Sequence, residues 1–258
     1  QIYIIFIMMD SKKYVLQKIL NTEVQIYPWK HLIINNFIPT SLYEGIKQEV
    51  SVYNDKFSKA KSKRGYTTEI NKSQNVFPNS NTNPYLHEYA QIISDPDIEK
   101  VIKQKVNIEG YHSNNLSKDM WSSFDIQSPG FIYDVHPDHE SKIHTLVHYL
   151  ADFGDDENLG TTLYSPDKNT FGGVYWCDDC NQEKCICGKK LPPFNTTKDF
   201  LKRASYIPNN AIIFSPCTKI GSITNHSMFH LSEKTKYRKT LQTFWLKENE
   251  NWTNLDWS

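Results

Sequence analysis

The segment Val135-His136-Pro137-Asp138 sets a histidine and a carboxylate one residue apart, and Phe229-His230 and Arg238-Lys239-Thr240 follow far downstream. Residues i and i+2 of an extended strand share a face, so His136 and Asp138 can reach one ion from a single strand end. Pro137 between them suits a strand terminus, because it has no N–H to give to a ladder. Two imidazoles and one carboxylate, without thiolate, favour Fe(II) or Mn(II) over structural zinc and leave positions open for oxygen and a second substrate. Alone, a His-x-Asp triplet is a weak signal, since such triplets are common on protein surfaces.

The elements that would carry these residues are legible in outline. The run His31-Leu32-Ile33-Ile34-Asn35-Asn36-Phe37-Ile38 reads as a strand from its β-branched content, and Pro39-Thr40 marks a boundary before Leu42, Ile46 and Val50 recur at helical spacing. Residues 56–84 are polar and basic, which suits either a solvated loop or a lid over a site. Leu86, Tyr89, Ile92 and Ile93 line one helical face, and Asp95-Pro96-Asp97 starts a second helix. From about Phe124 the pattern changes to short segments rich in β-branched and aromatic residues. They lie near 131–133, 143–150, 161–164, 173–176, 211–214, 220–229 and 237–245, and predict a mainly β sandwich or jelly roll preceded by helices.

At 258 residues and 30.2 kDa the chain accommodates one large domain with an insertion. Lys+Arg and Asp+Glu balance at 29 each, so no global charge argument favours nucleic acid or an anionic membrane surface. The apolar run at residues 1–9 is too short to span a bilayer and lacks a basic segment before it, which predicts a cytoplasmic, intracellular protein with no membrane partner.

Taken in order, the run from Tyr133 to Leu150, Gly160-Thr161-Thr162, Pro208-Asn209-Asn210, Met228-Phe229-His230 and Arg238-Lys239-Thr240 resembles the 2-oxoglutarate- and Fe(II)-dependent oxygenases, in particular their prolyl-hydroxylase-like, viral and bacterial members. The resemblance covers residues 130–246 well and 29–50 loosely. It implies a double-stranded β-helix (cupin-like jelly roll) core at 123–246, helical support at 29–122 and a Cys-rich insertion at 175–200. These make one oxygenase domain over 29–258, after an N-terminal segment at 1–28. It implies that His136, Asp138 and His230 hold iron, with His226 the alternative distal ligand if the register differs. Arg238 would bind the far carboxylate of 2-oxoglutarate, since a guanidinium grips a carboxylate through two parallel bonds. Thr240, on the same strand face, can donate its hydroxyl there. Tyr133 would be either a cosubstrate-binding tyrosine or a core one. The implied reaction is hydroxylation of a C–H bond in a peptidyl side chain or small metabolite, with O2 and 2-oxoglutarate consumed and succinate and CO2 released. A non-catalytic binding protein on the same barrel, or a cupin-type iron enzyme that does not use 2-oxoglutarate, are the alternatives.

Four of the five cysteines, Cys177, Cys180, Cys185 and Cys187, fall within eleven positions. They suit a small structural zinc knuckle, with disulfides or a redox thiol cluster as alternatives. Cys217 reads as a small buried hydrophobe, and His144 and His148 as core or wall residues.

Overall fold

The computed structural model describes residues 2–51, 66–72, 81–108, 117, 119–127, 132–139, 141–166, 176–177, 182–183, 200–217, 223–229 and 234–247; for 2–10, 66–72, 132–134, 176–177, 182–183 and 229 it describes the backbone alone. Four helices, α1 (Ile2–Asn21), α2 (Thr40–Ser51), α3 (Pro84–Ile93) and α4 (Pro96–Val106), accompany strands β1 (His31–Ile34), β2 (Tyr66–Lys72), β3 (Asp119–Gln127), β4 (Ile132–His136), β5 (Lys142–Tyr149) and β6 (Thr162–Leu163). The remaining strands are β7 (Trp176–Cys177), β8 (Gln182–Glu183), β9 (Lys202–Arg203), β10 (Ala211–Phe214), β11 (His226–Phe229) and β12 (Arg238–Leu246). A six-stranded sheet runs β1-β10-β5-β12-β3-β2, a four-stranded sheet runs β4-β11-β6-β9, and β7 and β8 form a separate hairpin. Every pairing is antiparallel.

The six-stranded sheet is buried on both faces, and period-two alternation sorts its side chains. Leu146 of β5, Ala211 and Ile213 of β10, Leu241 and Trp245 of β12, and Phe124 and Ile126 of β3 join the helices in one apolar core. Val147, Tyr149, Ile212 and Phe214, one residue out of step, face the other way and share a second core with Leu163, Ala204 and Tyr206 from the region of the smaller sheet. The two sheets therefore meet across a second interior, distinct from the helix-packed core, and that interior holds the chemistry.

Local rules place the helices. Asp95 caps α4 by accepting from Asp97 N at 2.9 Å, with Pro96 at the first position, as the Asp95-Pro96-Asp97 signal predicts. The Asn83 side chain makes no capping bond at α3; the Glu49 carboxylate of α2 accepts from Tyr85 N at 2.9 Å and Leu86 N at 2.8 Å instead. A carboxylate suits a helix N-terminus, and here it also ties two helices together.

Three segments depart from the sequence reading. Part of 56–84, expected as loop or lid, forms edge strand β2, which pairs with β3 from Tyr66 to Lys72. Strand β3, Asp119–Gln127, lies outside the expected strand segments, because Ser122, Ser123, Asp125 and Gln127 break up the β-branched and aromatic content that marks the others. The expected strand at 220–229 is confined to His226–Phe229 in the described residues.

His144 and His148 lie on the helix side, as expected for core residues, and both are fully buried. The Asn209 amide donates to Ile38 O at 2.8 Å while its oxygen accepts from Ile38 N at 3.1 Å. That fixes Asn209 Oδ1 as the acceptor, so His148 Nε2, 3.0 Å away, carries the proton and donates. Asn209 has a positive φ of 57°, a conformation Asn tolerates, and so closes the turn into β10 while anchoring the approach to α2. Cys217 is buried, as expected.

Burial pushes His148 down to about 4, and it does the same to His31 against the weaker opposing pull of the Trp29 carbonyl. Both bind protons more readily unfolded than folded, so stability is complete above about pH 6.5 and falls as pH drops through the window between 6.5 and about 4. Each contributes on the order of 3 kcal/mol across that window. Urea unfolding at stepped pH should show this loss, and His148→Leu should flatten the slope; an unchanged slope would contradict the assignment.

Candidate metal centre

The smaller sheet supplies two imidazoles as direct cross-strand neighbours: His136, the last residue of β4, pairs with His226, the first of β11. Their ring centroids lie 4.4 Å apart. Asp138, two residues beyond the end of β4, brings its carboxylate to the same place, with Oδ2 3.9 Å from His226 Nε2. One ligand atom from each of His136, Asp138 and His226 lies within 4.8 Å of the others, and all three residues are buried. Among the described residues this is the one cluster of its kind.

The surroundings prepare each group. His226 Nδ1 lies 2.9 Å from Thr224 O, an acceptor, so Nδ1 holds the proton and Nε2 presents a lone pair toward Asp138. Burial lowers the pKa of His226, opposed chiefly by the Asp138 charge, and so favours the neutral imidazole that a metal requires. Phe214 of β10 sets its ring edge-on to His226 at 4.9 Å. Burial alone would raise Asp138, yet the Lys142 ammonium and the two histidines hold it well below the usual carboxylate range. Lys142 Nζ donates to Asp138 Oδ1, and Thr145 Oγ1 donates to Oδ2 at 2.6 Å. Both partners come from β5, so the larger sheet orients a carboxylate that the smaller sheet presents.

A second charged group occupies the same interior. Arg238, first residue of β12 and 1% exposed, donates from Nε to Leu159 O and from Nη1 to Gln127 Oε1, each at 2.6 Å. Both acceptors are uncharged. Burial lowers Arg238 from its ordinary value, partly offset by Tyr149, Tyr206 and Asp125, but a guanidinium remains protonated under all ordinary conditions. Its Cζ lies 5.6 Å from the Tyr149 ring centre and 5.7 Å from that of Tyr206. Thr240, fully buried, stands opposite Asp125 on one side and Tyr149 on the other, and its Oγ1 has no hydrogen-bond partner. A buried cation bonded to neutral oxygens beside an unsatisfied hydroxyl is chemically suited to an anionic guest. Thr145, Val147 and Tyr149 share one face of β5, so the metal end and the arginine end are separated by roughly 13 Å of strand, less the reach of the side chains.

The sequence-derived residues fall as follows. His136, Asp138, Arg238 and Thr240 all enter this interior. Of the two candidate distal histidines, His226 stands in the cluster, while His230 lies outside the described residues. Tyr133 belongs to β4 with its backbone opposite Met228, and its side chain is outside the described set. Cys177 sits in the β7–β8 hairpin opposite Gln182; Cys180, Cys185 and Cys187, and hence the expected zinc knuckle, lie outside the described residues. Sequence reasoning missed Lys142, Thr145, Tyr149 and Gln127. Counting alternate positions back from Tyr149 on β5 would have singled out Thr145.

No family model matches the chain, and no curated protein matches it in sequence. Among solved structures it is similar to a Pseudomonas putida prolyl-4-hydroxylase, at 11% identity and a TM-score of 0.48, covering 90% of this chain and 92% of that one. A prolyl hydroxylase from Trichoplax adhaerens, solved with a hypoxia inducible factor oxygen degradation domain peptide fragment, matches at 12% identity and a TM-score of 0.47 over 92% and 89% of the two chains. AviO1 from Streptomyces viridochromogenes matches at 7% identity and a TM-score of 0.46 over 92% and 96%. Among the described residues, no helix is long and apolar enough to cross a membrane.

Gly160 sets the position of the arginine. A Cβ there would stand 1.6 Å from Ala204 O, so only glycine lets the chain pass, and the preceding carbonyl, Leu159 O, is the one that holds Arg238 Nε. Gly160→Ala should destabilise the fold by about 1–3 kcal/mol or more in urea unfolding. A wild-type value would contradict this role.

Proposed function

We propose that the chain is an Fe(II)- and 2-oxoglutarate-dependent dioxygenase that hydroxylates a C–H bond of a peptidyl side chain or small metabolite. The observation that carries this reading is the buried His136–Asp138–His226 cluster sharing one interior with the buried Arg238. Two imidazoles and a carboxylate are the donor set of non-haem Fe(II) sites with open positions. The strand orders support a double-stranded β-helix: leaving out β1 and β2, the sheets read β10-β5-β12-β3 and β4-β11-β6-β9, with successive strands alternating between them for most of the chain.

In this reading His136, Asp138 and His226 hold the iron, and Arg238 with the Thr240 hydroxyl receives the far carboxylate of the cosubstrate. When bound, iron and 2-oxoglutarate together supply oxidative decarboxylation: O2 is consumed, one oxygen atom enters succinate as CO2 leaves, and the other converts the substrate C–H to C–OH. The chain's own residues orient and exclude water. Tyr149 OH donates to Thr161 Oγ1 at 2.8 Å and accepts from Thr161 N at 2.9 Å, which fixes its ring beside the guanidinium. Val147 and Phe214 line the apolar wall between the two charged ends.

Anaerobic addition of Fe(II) and 2-oxoglutarate to metal-stripped protein should give the weak visible charge-transfer band of the bidentate chelate. His136→Ala and His226→Ala should each abolish it. Arg238→Ala should raise the 2-oxoglutarate requirement by at least on the order of 30-fold, the lower end of what losing one partner of a buried charge pair costs. No band from folded wild type would overturn the proposal. A band and turnover indifferent to Arg238→Ala would point to an iron enzyme that does not use 2-oxoglutarate.

A further inference from the structure

We infer that Lys142 is a positioning residue that confines Asp138 to coordination through one oxygen, keeping one more position open on the metal. The inference rests on the iron reading above and concerns how this chain divides the two carboxylate oxygens. Asp138 Oδ1 receives the Lys142 ammonium, while Oδ2 receives the Thr145 hydroxyl and lies on the side of His226 Nε2, 3.9 Å away. An oxygen with two lone pairs can accept Thr145 and still serve an ion. The Oδ1 side cannot serve the same ion, because chelation through both oxygens would bring a divalent cation against a buried ammonium.

Lys142 has little freedom to withdraw. It is 4% exposed, and its ammonium rests 3.6 Å from the centre of the Phe244 ring, which stacks on Trp121 at 5.2 Å with 5° between planes. A cation–π contact and an ion pair thus both hold the ammonium. Phe244 is the cross-strand neighbour of Thr145, so one pair of positions on β5 and β12 anchors both oxygens of the carboxylate.

Two consequences follow. A ligand triad that contributes three donor atoms leaves room for a bidentate cosubstrate and for O2, whereas a chelating aspartate would take one of those places. Lys142 also cancels the charge of Asp138, so a bound divalent ion keeps its full attraction for a dianionic guest.

Water-proton relaxation with Mn(II) tests this without turnover. Wild type should keep about three exchangeable waters on an octahedral Mn(II), and Lys142→Met, with its carboxylate freed to chelate, should keep one fewer. Lys142→Arg should restore the wild-type count. In the Lys142→Met protein 2-oxoglutarate affinity should fall by about 10–100-fold, the range over which outer partners of metal ligands act. A wild-type count already lower by one, or the same count in wild type and Lys142→Met, overturns the inference while leaving the metal site standing. If Lys142→Met does not fold, the wild-type count decides alone. Failure of folded wild type to bind Mn(II) at all overturns the metal reading and this inference with it.

Discussion

A carboxylate buried between two sheets makes demands on everything near it. Asp138 is removed from water, so its charge must be matched locally, and Lys142, Thr145 and the imidazoles of His136 and His226 do so. Those partners come from both sheets. The pairing of β4 with β11 sets the two imidazoles side by side, and the packing of the sheets brings β5 across to meet the carboxylate. Separating the sheets would pull the Lys142 ammonium away from the Asp138 carboxylate and break their ion pair.

The same constraint explains the division of labour across the larger sheet. Its helix-facing side is mainly apolar, with a few buried polar groups such as His148, which donates to Asn209, and it carries the packing. Its inner side carries Asp125, Gln127, Lys142, Thr145, Arg238 and Thr240, groups that would weaken an ordinary sandwich core. The helices and their caps allow one face of β3, β5 and β12 to be given over to polar chemistry, because the other face already buries enough surface to hold the sheet. The glycine at 160 and the carbonyl it positions belong to the same economy: backbone supplies an acceptor where another charged side chain would be costly to bury.

Much of this was legible in the sequence by itself. His136-Pro137-Asp138 announced a shared ligand face through the period of a strand; Asp95-Pro96-Asp97 announced a helix start through capping chemistry. Content of β-branched and aromatic residues marked most of the inner strands. These signals are local, set by backbone period and by short-range hydrogen bonding, and they survive without knowledge of the fold. The polar residues of β3 hid that strand, because β-branched and aromatic content is the cue for a strand and here polar groups took its place.

What only the tertiary structure decided is which distant groups meet. The β4–β11 register sets His226 against His136, a pairing of residues far apart in the chain that no local rule announces. Neither Lys142 nor Tyr149 carries a functional signal in the sequence. Their roles come from long-range pairing: the meeting of the two sheets brings Lys142 of β5 to Asp138, and the β5–β12 register sets Tyr149 opposite Thr240, beside Arg238. Such contacts depend on strand order and sheet packing, long-range pairings that are fixed by the whole interior at once and leave no signature in neighbouring residues.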